Sequence, residues 1–239
     1  MSINSFSNII VSGLDIIIER KDIKNLHIGV YPPNGKIRVA TPLKLNDESV
    51  RLAVISRLSW IKKQQQSFLN QPRQTKREMV SGESHYIFGK RYLLDIKYEN
   101  VKHRIVKKHT KLELFVKENT SKENRLKVLE KYYREKLSLE LDKLILKWEH
   151  IIGVKINSWQ IQKMKTKWGS CNIEKKKLIF NLELAKVPLD CIEYIVVHEI
   201  IHLLERHHND NFKSILDKHI NDWQSRKEKL KWCFISKLA

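Results

Sequence analysis

Val187-Pro188-Leu189-Asp190-Cys191-Ile192-Glu193-Tyr194-Ile195-Val196-Val197-His198-Glu199-Ile200-Ile201-His202 reads, past its first turn, as a helix apolar nearly all round, with polar groups returning only at its end. Leu203 and Leu204 carry the apolar run on, and a helix of this kind belongs in a core. Asp190 is the expected N-cap, with Glu193 three residues later completing a start like a capping box. His198, Glu199 and His202 form an H-E-x-x-H pattern, which places both imidazoles on one helix face within reach of a single ion. Glu199 projects about 100° around from His198, beside the open position of such an ion. Burying an unpaired carboxyl and two imidazoles is costly, whereas a shared metal and its water would satisfy all three. His207 or His208 supplies a third ligand from the polar segment Glu205–Asp210, where the helix is expected to end. Three protein ligands leave a catalytic position open, and no C-x-x-C pair is present to close it as a structural site would.

Outward from this helix, Lys165-Thr166-Lys167-Trp168-Gly169-Ser170-Cys171-Asn172 reads as a turn between strands at Val154–Ile161 and Leu178–Leu182, the second of them at an exposed edge. Further upstream, Leu126, Leu129, Tyr133, Leu137, Leu141, Leu144 and Trp148 mark one face of a long helix ending near Gly153. Lys117–Asn124 is the expected boundary between lobes. Before it, Ile16–Ile18, Leu26–Tyr31 and Lys36–Val39 read as short strands, with a turn at Pro32-Pro33-Asn34-Gly35, and predict an antiparallel meander. One helix starting at Asn46 carries Val50, Ala53, Val54, Leu58, Ile61 and Phe68 over that sheet. After a loop at Gln71–Arg77, strands at Tyr86–Phe88, Tyr92–Ile96 and Lys111–Val116 are expected to extend it. Asn211–His219 and Arg226–Trp232 form the closing helices.

The stretches Lys165–Asn172, Leu178–Leu182, Pro188 and Tyr194–Glu199 resemble the YgjP-like metal-dependent hydrolases, which look related to the SprT-like zincins. Ser12-Gly13-Leu14, Arg57–Ile61 and Val80–Lys90 are similar to landmarks of the same family, so the resemblance spans nearly the whole chain. Lys167 stands where the family usually has arginine, and the proline that commonly follows the last helix is missing near Trp223. The resemblance aligns His208 with the family's third histidine and His207 with its usual asparagine, making His208 the third ligand. It implies an α+β chain: an antiparallel β-rich lobe over residues 1–118 with a covering helix, then a zincin-like helical lobe over 119–239 with a small sheet and the H-E-x-x-H helix. His198, His202 and His208 would hold Zn²⁺ or another divalent metal. Glu199 would act as general base on a water whose pKa the ion lowers toward about 7. Lys165, Lys167, Arg206 and Tyr194 are candidates to stabilise the oxyanion.

Composition bounds the remainder. The 239 residues carry 46 Lys and Arg against 27 Asp and Glu, a net charge of +19, enough to concentrate anions at the surface. The basic runs Lys107-Lys108, Lys175–Lys177 and Lys227–Lys231 are scattered, and no zinc-finger spacing or P-loop marks a nucleic-acid or nucleotide module. Three unpaired cysteines, no signal-peptide pattern and no apolar run of membrane-spanning length predict a cytoplasmic protein without a membrane partner. Cys171 is expected to pack rather than react. A peptide or protein is the expected substrate. The alternatives are a nucleoside-triphosphate phosphoanhydride hydrolase and, more weakly, a non-enzymatic nucleic-acid-associated protein with a structural metal. The oligomeric state is left open.

Overall fold

A computed structural model describes residues 5–31, 35–69 and 77–235, without the side chains of residues 67–69, 232, 234 and 235. Residues 32–34 of the expected turn at 32–35, residues 71–76 of the expected loop at 71–77 and the Phe68 side chain lie outside it. Contacts divide the chain into two compact units, the first spanning Met1–Lys76 with Phe234–Ala239 and the second Arg77–Cys233. The boundary expected near residue 118 falls inside the second unit.

The first unit holds β1 (Ser5–Val11), β2 (Leu14–Lys21), β3 (His27–Tyr31) and β4 (Lys36–Pro42) in the order β1-β2-β4-β3. The meander is corrected: β2 and β4 run parallel, Ile16 opposite Ile37 and Ile18 opposite Val39. Burial explains the order. β4 carries alternating fully buried residues and sits centrally, whereas β3 is half-exposed throughout and takes the edge. Ile16, Ile18, Ile37 and Val39 pack beneath Val50 and Val54 of α1 (Asp47–Ile55) and Ile61 of α2 (Leu58–Leu69). The single covering helix of the sequence reading is thus two. Ser56 ends α1, its hydroxyl donating to the Ala53 carbonyl at 2.9 Å, a side-chain bond that competes with continuation of the helix.

In the second unit β5 (Ser84–Ile87), β6 (Lys90–Tyr98), β7 (Arg104–Lys107) and β8 (Lys111–Val116) form a sheet of their own instead of extending the first. Its order, β5-β6-β8-β7, and its succession of antiparallel, parallel and antiparallel pairs repeat those of the first sheet. The opening hairpins match as well: Ser12 and Gly13 turn with φ of 50° and 77°, Phe88 and Gly89 with 48° and 79°. Two consecutive positive φ values make the hairpin turn whose twist suits the strands it joins. At the second hairpin the Phe88 and Gly89 N–H groups donate to the carbonyls of Ala185 and Lys186, at 2.9 and 3.1 Å. A Cβ on Gly89 would come within 2.9 Å of Pro188 Cγ.

Helix α3 (Lys122–Ile152) begins at Ser121, whose hydroxyl accepts from the Asn124 N–H, and stops at Gly153 with φ of 76°. Leu129, Tyr133, Leu137, Leu141, Ile145 and Trp148 form its buried face. Against it lie a 3₁₀ turn (Leu182–Lys186) and α4 (Leu189–Ile201), all sharing one core. A third sheet, β9 (Ser158–Gln162), β10 (Gly169–Asn172) and β11 (Lys177–Asn181), has the order β10-β11-β9. Gly169-Ser170-Cys171 therefore opens a strand, and the more buried β11, expected at an edge, is central, with β10 and β9 at the edges. Helices α5 (Asp210–His219) and α6 (Trp223–Ile235) close the chain's described part. No helix among the described residues is long and apolar enough to cross a membrane.

Candidate metal centre

Helix α4 begins two residues earlier than Asp190 predicts. Pro188 is its N-cap, with an extended backbone, and its carbonyl receives the N–H groups of Cys191 and Ile192 at 3.1 and 3.2 Å. Proline fits here because it lies where a free N–H is not needed. Asp190 sits in the first turn with its carboxylate 2.8 Å from Lys229 Nζ, and Glu193 binds Lys147, Trp148 and Arg226 instead of reaching back to a cap. The helix is buried on nearly every side, and Glu199 is the one acidic residue in that interior, 6% exposed.

The helix ends at Ile201, leaving His202 as its C-cap and Leu203 and Leu204 in the turn beyond. Placing His202 at the end lets the chain fold back across it. Glu205 directs that return: its carbonyl accepts from His202 Nδ1 at 3.1 Å, and its carboxylate accepts from the His207 N–H and from Asn211 Nδ2, each at 3.2 Å. Asn209 then caps α5 by accepting from the Phe212 N–H at 2.9 Å. His208 is thereby held over α4, its Nε2 3.0 Å from that of His198.

One ligand atom from each of His198, His202 and His208 lies within 4.8 Å of the other two. His207 is not in the cluster. Phe212, only 2% exposed, lies under all three imidazoles, with ring centroids 5.0, 4.9 and 4.7 Å from those of His198, His202 and His208. The donor set suits a metal. Burial, reinforced by His202 and His208, pushes His198 down to about 3, and burial also lowers His202, so both present neutral nitrogens at physiological pH. The Glu205 carbonyl takes the Nδ1 proton of His202 and leaves Nε2 as donor, the outer support expected of a ligating histidine. Imidazole-only ligation fits zinc, and also copper, iron or nickel.

Beside the histidines, burial pushes Glu199 up to about 8, opposed by the charge of Lys167. The backbone of β10 closes over its side chain: a Cβ on Gly169 would come within 2.6 Å of Glu199 Cγ and Oε1. Only glycine allows that approach. Cys171, next but one on the strand, has its thiol held up near 11 by burial and by Glu199, which disfavours the thiolate that a nucleophile needs. Tyr194 stands one turn before His198 with ring centroids 5.8 Å apart, stacks on Trp223, and has its hydroxyl raised to about 12 by burial and by Glu199. Lys165, Lys167 and Arg206 are all exposed. The sequence reading missed Glu205 and the close approach of Gly169, because each depends on the chain's return through space, whereas Phe212 closes the segment His207–Phe212 in which the family resemblance sets the third histidine.

A family model described as YgjP-like, metallopeptidase domain, matches residues 24–232. The chain belongs to the YgjP-like metallopeptidase family. No curated protein matches this YgjP-like chain. Among solved structures it is similar to the metallopeptidase zymogen abylysin of Pyrococcus abyssi, at 15% identity over 38% of this chain and 90% of that one, with a TM-score of 0.36. The metallopeptidase zymogen jannalysin of Methanocaldococcus jannaschii is similar at 20% identity over 38% and 93% of the two chains, with a TM-score of 0.35.

Proposed function

We propose that this chain is a zinc metallopeptidase in which His198, His202 and His208 hold the ion and Glu199 is the general base. The observation that carries the reading is the convergence of three imidazole ligand atoms within 4.8 Å, with the buried carboxyl of Glu199 next to His198 in the helix. When bound, zinc supplies Lewis acidity, lowering the pKa of a water and polarising the scissile carbonyl. Glu199, already displaced toward neutral pH by burial, takes a proton from the attacking water and returns it to the leaving nitrogen. Gly169 holds that carboxyl in place by close packing. Of the four cation and hydroxyl candidates, Lys167 and Tyr194 are the two that interact electrostatically with Glu199, and they are the residues we assign to the developing oxyanion.

The test compares wild type and Glu199→Gln, each with its metal content measured, on unfolded protein substrates and on nucleoside triphosphates. Peptide cleavage that disappears in the variant while zinc remains bound is the expected result. Glu199-dependent release of phosphate or pyrophosphate without peptide cleavage would transfer the assignment to phosphoanhydride hydrolysis.

A further inference from the structure

Asn181 ends β11 completely buried, at 0% exposure. Its side-chain amide is used to capacity. Nδ2 donates to the carbonyls of Met164 and Lys167 at 2.8 and 2.7 Å, while Oδ1 accepts from the N–H groups of Met164 and Glu183 at 3.4 and 3.2 Å. Two donors and two lone pairs are all that an amide offers. Its backbone N–H also donates to the Trp168 carbonyl at 2.8 Å. Residues 164–168 belong to no helix or strand, so this one residue gathers both ends of the loop. The loop carries Lys167 and leads directly into Gly169, both of which bear on Glu199 from outside its helix.

We propose that Asn181 is the positioning residue of this site. By holding the loop at Met164 and Lys167 it sets how closely the Gly169 backbone approaches Glu199 and where the Lys167 cation stands, without itself meeting substrate. The chemistry of the amide makes the role specific. A carboxylate in its place would face two carbonyl oxygens with no proton to offer, and an apolar side chain would take the Asn181 donors away from both carbonyls. The inference rests on the reading of Glu199 as base. Ligation is separate from it, because the histidines are carried by α4 and the turn after it.

Asn181→Ser, Asn181→Asp and Gly169→Ala are compared with wild type and Glu199→Gln as zinc-loaded full-length proteins. Zinc stoichiometry, kcat and KM on an unfolded protein substrate, and the rate of tryptic cleavage after Lys165 and Lys167 relative to Lys175 are measured. In the Asn181 variants zinc should stay bound, loop cleavage should accelerate, and kcat should fall at least about tenfold with KM little changed. Gly169→Ala should lower kcat similarly while its loop stays resistant. A loop that remains resistant in the Asn181 variants, or wild-type kcat with the loop released, overturns the proposal. Should those variants fail to fold, undiminished kcat in Gly169→Ala overturns it. Equal turnover, or none, in wild type and Glu199→Gln would instead sink the assignment of Glu199. The rate of tryptic cleavage after Lys165 and Lys167 then remains the readout, and a loop as resistant in Asn181→Ser as in wild type overturns the positioning role.

Discussion

Glu199 shows how one buried carboxyl connects chemistry to stability. Its folded pKa of about 8 lies above the ordinary 4.5, so the native state binds a proton that the unfolded chain has lost between those values. The stability available with Glu199 neutral is fully present below about 4.5 and drains away as pH rises toward 8. Removing metal and replacing Glu199 with Gln should therefore stabilise the protein by a few kcal/mol at pH 8 and by little near pH 4.5, read from denaturant midpoints with chelator present. Phe212 makes a different contribution, packing under the three imidazoles. Phe212→Ala should weaken zinc binding about tenfold, measured against a competing chelator, because the rings lose the surface that orients them. Both residues are visible in the sequence, yet only Glu199 announces its role there, through the spacing of its motif. Phe212 is legible in the sequence as the residue that closes the third-histidine segment, but its place under the three rings is not.

Among the elements, the turn between α4 and α5 brings His208 to His198 and His202. Because the Glu205 carboxylate fixes both the His207 N–H and Asn211, Glu205→Ala should lower zinc affinity about tenfold while leaving the His202–carbonyl bond in place. His208→Ala should lose metal and His207→Ala should keep it, an order that zinc stoichiometry checks directly. What the sequence makes legible at this scale is local. The stripe from Leu129 to Trp148 and the glycine after it define α3 because helix periodicity and left-handed caps are written in neighbouring residues. The parallel pairing of β2 with β4 and the separate second sheet are not written there, since partners across a crossover leave no mark on spacing. The start of α4 was misplaced for a related reason: Asp190 and Glu193 resemble a cap, but their partners Lys229, Lys147 and Arg226 come from distant helices.

At the level of the whole molecule, the histidines and Glu199 all belong to the unit Arg77–Cys233, so the energy of metal binding should be confined to it. Hydrogen exchange after chelation should show lost protection at buried α4 amides such as Val196, with Ile16 and Val39 of the first unit unchanged. Uniform loss across both units would mean that they unfold together. The charge of +19 is dispersed over both and bears on solubility and encounter more than on architecture. The repeated strand order of the two sheets has a further consequence, one of mutational tolerance. Both hairpins turn through a glycine of positive φ, a conformation that asparagine also adopts. At Gly13 a new Cβ meets nothing within 4 Å, so Gly13→Asn should cost only the backbone strain of its positive φ, whereas at Gly89 it also strikes Pro188 at the head of the histidine-bearing helix. Of two turns built alike, the first is thus free to vary and the second is fixed by the start of the helix that carries His198.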